Sequence, residues 1–205
     1  DTTRDVLGRV FHHRVIFQTS TLVSYVVSRD YFAKDKDYIF LDVGGELTDV
    51  LVVRNNTIFQ TLSFPLGRKF FHNSIAKFLE TSVHEVQSLL SAGDKKALHS
   101  KSHKALEKAK EKAFKSYEKH LEVILKQLSD NYKLPQDIYI SGPDFIEHGT
   151  KNLLETEHLG HYSMLGIPFS VELIKETKIH TRLRYQHNTR RDLFIALSAL
   201  YINHI

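Results

Sequence analysis

Two short apolar runs, Tyr38-Ile39-Phe40-Leu41 and Val50-Leu51-Val52-Val53, stand either side of the polar, glycine-containing stretch Asp42 to Asp49. Each run is too short for a helix, so together they predict strands over 38–43 and 49–54. Thr57 to Ser63 predicts a third strand, and Asn55-Asn56 before it is a two-residue hairpin signal of the type I′ kind. Apolar residues at helical spacing predict a helix over 21–32, with Thr19 or Ser20 as its cap. The same spacing predicts helices over 68–79 and 83–90, with Ser82 capping the second and Gly93 ending it. Leu106, Ala109, Ala113, Tyr117, Leu121, Ile124, Leu125 and Leu128 lie on one face of a long helix over roughly 101–130. After Pro135 the pattern returns to strand at Asp137–Ile140, helix over 145–155, strand over 168–174 and a closing helix over 190–203. Residues 1–14 are polar and basic without a clean period, and Val15 to Phe17 reads as a short strand.

Three meander strands, a helix-rich stretch and then strand–helix units predict an α/β fold with a mixed five-stranded sheet. The connector Gly44-Gly45-Glu46-Leu47 reads as a tight hairpin whose glycines supply positive φ. Gly44 and Gly45 also leave backbone N–H groups uncovered, as a phosphate-cradling loop requires, although turn residues are their plainer role. Asp42, at the end of a buried strand, is placed to hold Mg²⁺, to orient an attacking water, or merely to cap the hairpin. Thr48 either donates its hydroxyl to a phosphate or is a strand residue, and Asp49 reads as ordering the hairpin.

These residues resemble the second phosphate-binding loop of the actin/Hsp70/sugar-kinase superfamily, usually Asp-x-Gly-Gly-Gly-Thr-Thr-Asp. Asp42, Gly44, Gly45, Thr48 and Asp49 match, whereas Glu46 and Leu47 depart. Phe64-Pro65-Leu66-Gly67 and Asn73 resemble the third-strand end and helix start of the branch holding the cell-division protein FtsA and the pilus-assembly protein PilM, with Arg68 replacing a glycine. Thr81 to Glu85 resembles the start of that branch's next helix, and Ile138 to Pro143 its strand-plus-Gly-Gly adenosine motif.

The resemblance spans roughly residues 15–203. It implies an RNase H-like lobe of an actin-like ATPase over 15–205, with a helical subdomain about 68–132 and residues 1–14 as the tail of a preceding segment. It further implies the C-terminal lobe of a longer protein, binding ATP with Mg²⁺ at an interlobe cleft. On that alignment Asp42 is the catalytic and metal-associated residue. Gly44, Gly45, Thr48, Gln87, Ser141 and Gly142 are the nucleotide-binding set.

Implied partners are ATP and the proteins of a membrane-associated assembly, with self-association, and the implied location is the cytoplasmic side of the membrane. Leu90 stands where the branch carries a charged donor, and Pro143 removes a backbone N–H. Glu46 beside a triphosphate costs about 1 kcal/mol at ~4 Å in water and about 4 at an effective dielectric of ~20. Those departures keep open a scaffold of the same fold without tight nucleotide binding; a sugar-kinase-like phosphotransferase also stays open, because its substrate residues would lie largely in the other lobe.

Composition narrows the field further. The 205 residues contain no cysteine, which excludes disulfides, zinc–thiolate sites and cysteine nucleophiles. No run approaches the length of a transmembrane helix. The formal charge of +4 is ordinary solubility charge. The lysines between 95 and 126 alternate with Glu107, Glu111, Glu118 and Glu122, as on a solvated helix face with ion pairs such as Glu107/Lys104 and Glu111/Lys115. Without interleaved aromatics they do not make a nucleic-acid surface. His12-His13 and the His158/His161 pair read as surface residues, and Arg182, Arg184, Arg190 and Arg191 as a basic edge without assigned function.

Overall fold

The computed structural model describes residues 2–10, 17–91, 100–175, 179, 183 and 193–203. A mixed five-stranded sheet runs through its centre in the order β3-β2-β1-β4-β5. The strands are β1 (Tyr38–Val43), β2 (Thr48–Arg54), β3 (Thr57–Phe64), β4 (Asp137–Ser141) and β5 (Ser170–Leu173). β1, β2 and β3 form an antiparallel meander, whereas β4 and β5 join β1 in parallel. The helices are α1 (Thr2–Val10), α2 (Ser20–Tyr31), α3 (Arg68–Leu79), α4 (Val83–Ser91), α5 (Ser100–Ser129), α6 (Asp144–Leu154), the single turn α7 (Glu157–Gly160) and α8 (Leu193–Ile202).

Strand alternation sorts the core into two halves, because successive side chains point to opposite faces. Ile39, Leu41 and Val43 of β1 pack with Phe71 and Ile75 of α3, Tyr117 and Leu121 of α5, and Ile146 of α6. Tyr38 and Phe40 face the other way, onto Val27 of α2 and Leu197 and Leu200 of α8. The sheet is thus the middle of three layers. β1 is buried on both faces, while β3 alternates and forms an outer edge. Parallel pairing of β1 with β4 needs a long crossover, and α3 to α5 supply it.

Local chemistry sets the boundaries. Thr19 Oγ1 accepts the Leu22 amide at 3.2 Å, and Ser82 Oγ accepts the Glu85 amide at 3.1 Å, so both predicted caps form. Asn55 and Asn56 hold φ of 49° and 58°, as a type I′ turn requires. β5 starts two residues later than the sequence predicts. Pro168 lacks an N–H, the Phe169 amide turns to Leu154 O at 3.3 Å, and Ser170 is the first to join the ladder.

Other expectations need correction. Residues 2–10, read from the sequence as a polar tail without a clean period, form a helix on which Val6 and Val10 are exposed. Phe17 is in no strand, and Val15 lies outside the described residues with Gly93, His12-His13 and the four arginines after residue 180. Glu107 pairs with Lys110 at 2.7 Å rather than with Lys104, whereas Glu111 and Lys115 pair as predicted, at 2.9 Å. Among the described residues no helix is long and apolar enough to cross a membrane, and no cluster of metal-ligating side chains occurs.

Candidate functional site

Parallel strands β1 and β4 end side by side, with Asp42 opposite Ser141. Antiparallel β2 begins at that end, with Asp49 opposite Asp42, and β3 finishes there, with Ser63 opposite Asp49. Directly paired residues share a face. Ser63, Asp49, Asp42 and Ser141 therefore form a polar row across four strands, on the face that carries α2 and α8. Two hydrogen bonds of 2.5 Å tie it together, from Ser141 Oγ to Asp42 Oδ1 and from Ser63 Oγ to Asp49 Oδ1. Each carboxylate spends one oxygen on a serine. Burial raises the Asp42 pKa above the usual carboxylate value, the Ser141 hydroxyl opposes this and the Asp49 charge adds to it. Two carboxylates facing each other on neighbouring strands repel unless a cation lies against them. Two carboxylates are too few to hold a metal by themselves, but they suit a divalent ion whose remaining ligands are water and phosphate oxygens.

Above the row opens a groove of about 1110 Å³. Its walls bring together Asp42, Gly44, Gly45, Ser141 and Gly142, five of the residues singled out in the sequence. Arg68, Asp144 and the exposed Phe194 and Ile195 of α8 complete it. A second, polar cavity of about 50 Å³ sits beneath, between Thr21 and Ser24 of α2 and the Asp42–Asp49 pair. It is large enough to hold water.

Two predicted residues lie elsewhere. Thr48 pairs with Val43 and so faces the opposite layer. It is fully buried, donates to Leu66 O at 2.6 Å and sits 3.3 Å from the Tyr117 hydroxyl. Gln87 is exposed on α4, with its amide 3.3 Å from His72 Nδ1, and does not line the groove.

The hairpin itself departs from its predicted form. Neither Gly44 nor Gly45 adopts positive φ, and neither does Glu46, so the loop carries no left-handed strain. The Gly44 amide is not uncovered, because it donates to Leu47 O at 2.9 Å and continues the ladder. The glycine that the packing does require is Gly67, which lies against the loop's main chain. A Cβ there would sit 2.7 Å from Gly44 O and 2.8 Å from Glu46 C, both main-chain atoms. This approach lets the Arg68 and Lys69 amides donate to Gly44 O and Gly45 O at 2.9 and 2.8 Å. The first turn of α3 is thus satisfied by the loop's own carbonyls. Glu46 turns outward to Lys69, 3.0 Å away, with both side chains exposed.

On the far wall, Gly142 packs against β1, where a Cβ would meet Val43 Cβ at 3.0 Å. Pro143 is the N-cap of α6 and Asp144 its first residue, one position later than a proline at the first helical position would give. Glu147 is the residue that sequence reasoning missed. It is 3% exposed, and burial pushes its pKa up to about 8, aided by Asp144 and opposed by the Gly142 amide and by Lys175. The only signal for it was an acidic pair in the first turn of a helix, which ordinarily means an exposed complement to the helix dipole.

No protein-family model and no curated protein matches the chain. Solved structures do. The ethanolamine utilization protein EutJ from Carboxydothermus hydrogenoformans is 20% identical, with a TM-score of 0.51 over 73% of this chain and 48% of that one. A PilM–PilN type IV pilus biogenesis complex is 17% identical, with a TM-score of 0.46 over 78% and 42%. Component A of the (R)-2-hydroxyglutaryl-CoA dehydratase of Acidaminococcus fermentans is 15% identical, with a TM-score of 0.46 over 98% and 72%. At such identities the likeness concerns fold, and it defines the class: the chain has the α/β fold of an actin-like ATPase lobe. It spans about half the length of the EutJ chain that it matches.

Proposed function

We infer that the chain is a nucleotide-binding lobe of an actin-like protein, taking ATP with Mg²⁺ in the groove at the ends of β1 and β4. One observation carries this. Asp42, Gly45, Ser141 and Gly142, far apart in sequence, converge on a single groove where two parallel strands end. In open α/β sheets, ligands bind outside the carboxyl ends of such strands. In this reading Asp42 holds the ion or orients a water, Gly45 lets phosphate approach the loop, and Gly142 opens the wall to the base. Mg²⁺ would supply charge neutralisation between the carboxylates and the phosphates. The wider role that fits the sequence resemblance is assembly of a membrane-associated complex, of the FtsA or PilM kind, by the second lobe of a two-lobed protein.

Calorimetry of the intact protein with Mg-ATP tests this. Micromolar binding that is lost in Asp42→Ala supports the reading. No binding by a folded protein removes it. A scaffold of the same fold without tight nucleotide binding is then the better description. The spent Gly44 amide and the position of Gln87 outside the groove favour that second reading.

A further inference from the structure

We propose that Arg68 is the phosphate-selecting residue of the groove, a reading that rests on nucleotide binding there. Phosphate loops usually recognise their ligand through backbone amides. Here several of the relevant amides are spent. Gly44 N–H donates to Leu47 O, and the Arg68, Lys69 and Phe70 amides donate to the carbonyls of Gly44, Gly45 and Gly67. Neither the first residue of the loop nor the start of α3 therefore has those donors to offer an anion.

A side chain can replace them, and the charges of the groove leave one candidate. Among the described residues lining it, Asp42, Glu46, Asp49 and Asp144 are acidic and Arg68 alone is basic. Glu46 is answered outside the groove by Lys69. Three carboxylates and one guanidinium then remain in its lining. Arg68 is exposed and makes no ion pair among the described residues; His72, one turn along α3, has its pKa lowered by burial and, secondarily, by the Arg68 charge. Its backbone is anchored on Gly44 O, which fixes the root of the side chain beside the loop. A guanidinium presents a planar fork that matches phosphate oxygens bidentately.

The same charge balance defines the ligand. A bare polyphosphate entering beside Asp42, Asp49 and Asp144 is repelled. A polyphosphate carrying a divalent cation would not be, because Asp42 and Asp49 would hold the cation while Arg68 would take the phosphate oxygens. Taken with the nucleotide reading, this balance favours the metal-complexed form of the nucleotide over the free one.

The test is calorimetry with Mg-ATP, ATP in EDTA, and adenosine, on the intact protein and its Arg68→Ala, Arg68→Lys and Asp42→Ala variants. Arg68→Ala is expected to weaken Mg-ATP at least tenfold and leave adenosine unchanged. Arg68→Lys should recover only part, since it restores charge without the fork. ATP in EDTA should bind the wild type far more weakly than Mg-ATP. Mg-ATP affinity within twofold of wild type in Arg68→Ala, with binding lost in Asp42→Ala, overturns the proposal and leaves the nucleotide reading standing. Equal losses for adenosine and Mg-ATP in Arg68→Ala also overturn it, because the residue is then only structural. A wild type that binds neither compound overturns both.

Discussion

Glu147 couples the far wall of the groove to pH. Its folded pKa of about 8 lies above the ordinary value of 4.5. The fold therefore prefers the neutral acid, and linkage fixes the sign. Its contribution is greatest below about pH 4.5, declines as pH rises toward 8 and is flat above. One pKa unit corresponds to about 1.4 kcal/mol, so the decline amounts to a few kcal/mol. Denaturant titrations of Glu147→Gln and wild type between pH 5 and 9 should diverge, with the variant gaining relative stability as pH rises. Parallel curves would show that the carboxyl is already ionised in the fold. Asp42 has the same sign, since its pKa is also raised. If it holds a cation as proposed it needs its charge, so its cost to stability and its use for binding would oppose one another.

The hairpin and α3 act as one element. Their joint is the main-chain contact of Gly67 with Gly44 and Glu46. Gly67→Ala must push these apart and is expected to cost about 1–3 kcal/mol, a typical overpacking penalty. It should also loosen the Arg68 and Lys69 amide bonds to the loop. Faster hydrogen exchange at those two amides, beyond that of the rest of α3, is the expected signature; uniform change across the helix would count against the joint. None of this was legible locally. Asn55-Asn56 announced its turn, because two left-handed residues are a requirement internal to a hairpin. Gly44-Gly45 looked alike, but neither takes positive φ, and the glycine that the contact requires is Gly67, more than twenty positions away. Thr48 was misplaced for a simpler reason. Pairing Asp42 with Asp49 already puts Thr48 on the opposite face, and strict alternation would have said so.

At the scale of the molecule, the continuous apolar run of β1 marked it as buried, and the order of the strands and of the later helices along the chain was readable from apolar patterning. The burial of Glu147 and the exposed α8 residues at the groove were not, because both depend on which distant surfaces meet. The two core halves share the same sheet, so the described fold should melt as one cooperative unit. Leu121→Ala on one side and Leu200→Ala on the other each remove a side chain at most 2% exposed. Each should cost about 2–5 kcal/mol. In both variants, fluorescence and far-ultraviolet signals are expected to shift together; separate transitions would mean that the layers fold independently.

The row Ser63–Asp49–Asp42–Ser141 has a reach that its hydrogen bonds alone do not convey. It crosses from the parallel half of the sheet to its antiparallel margin, three strand spacings or about 14 Å. In the proposed reading a cation at Asp42 would lift the repulsion on Asp49, and Asp49 accepts the hydroxyl of Ser63 on the outermost strand. Occupancy at the centre of the sheet would in this way be reported at its rim through side chains.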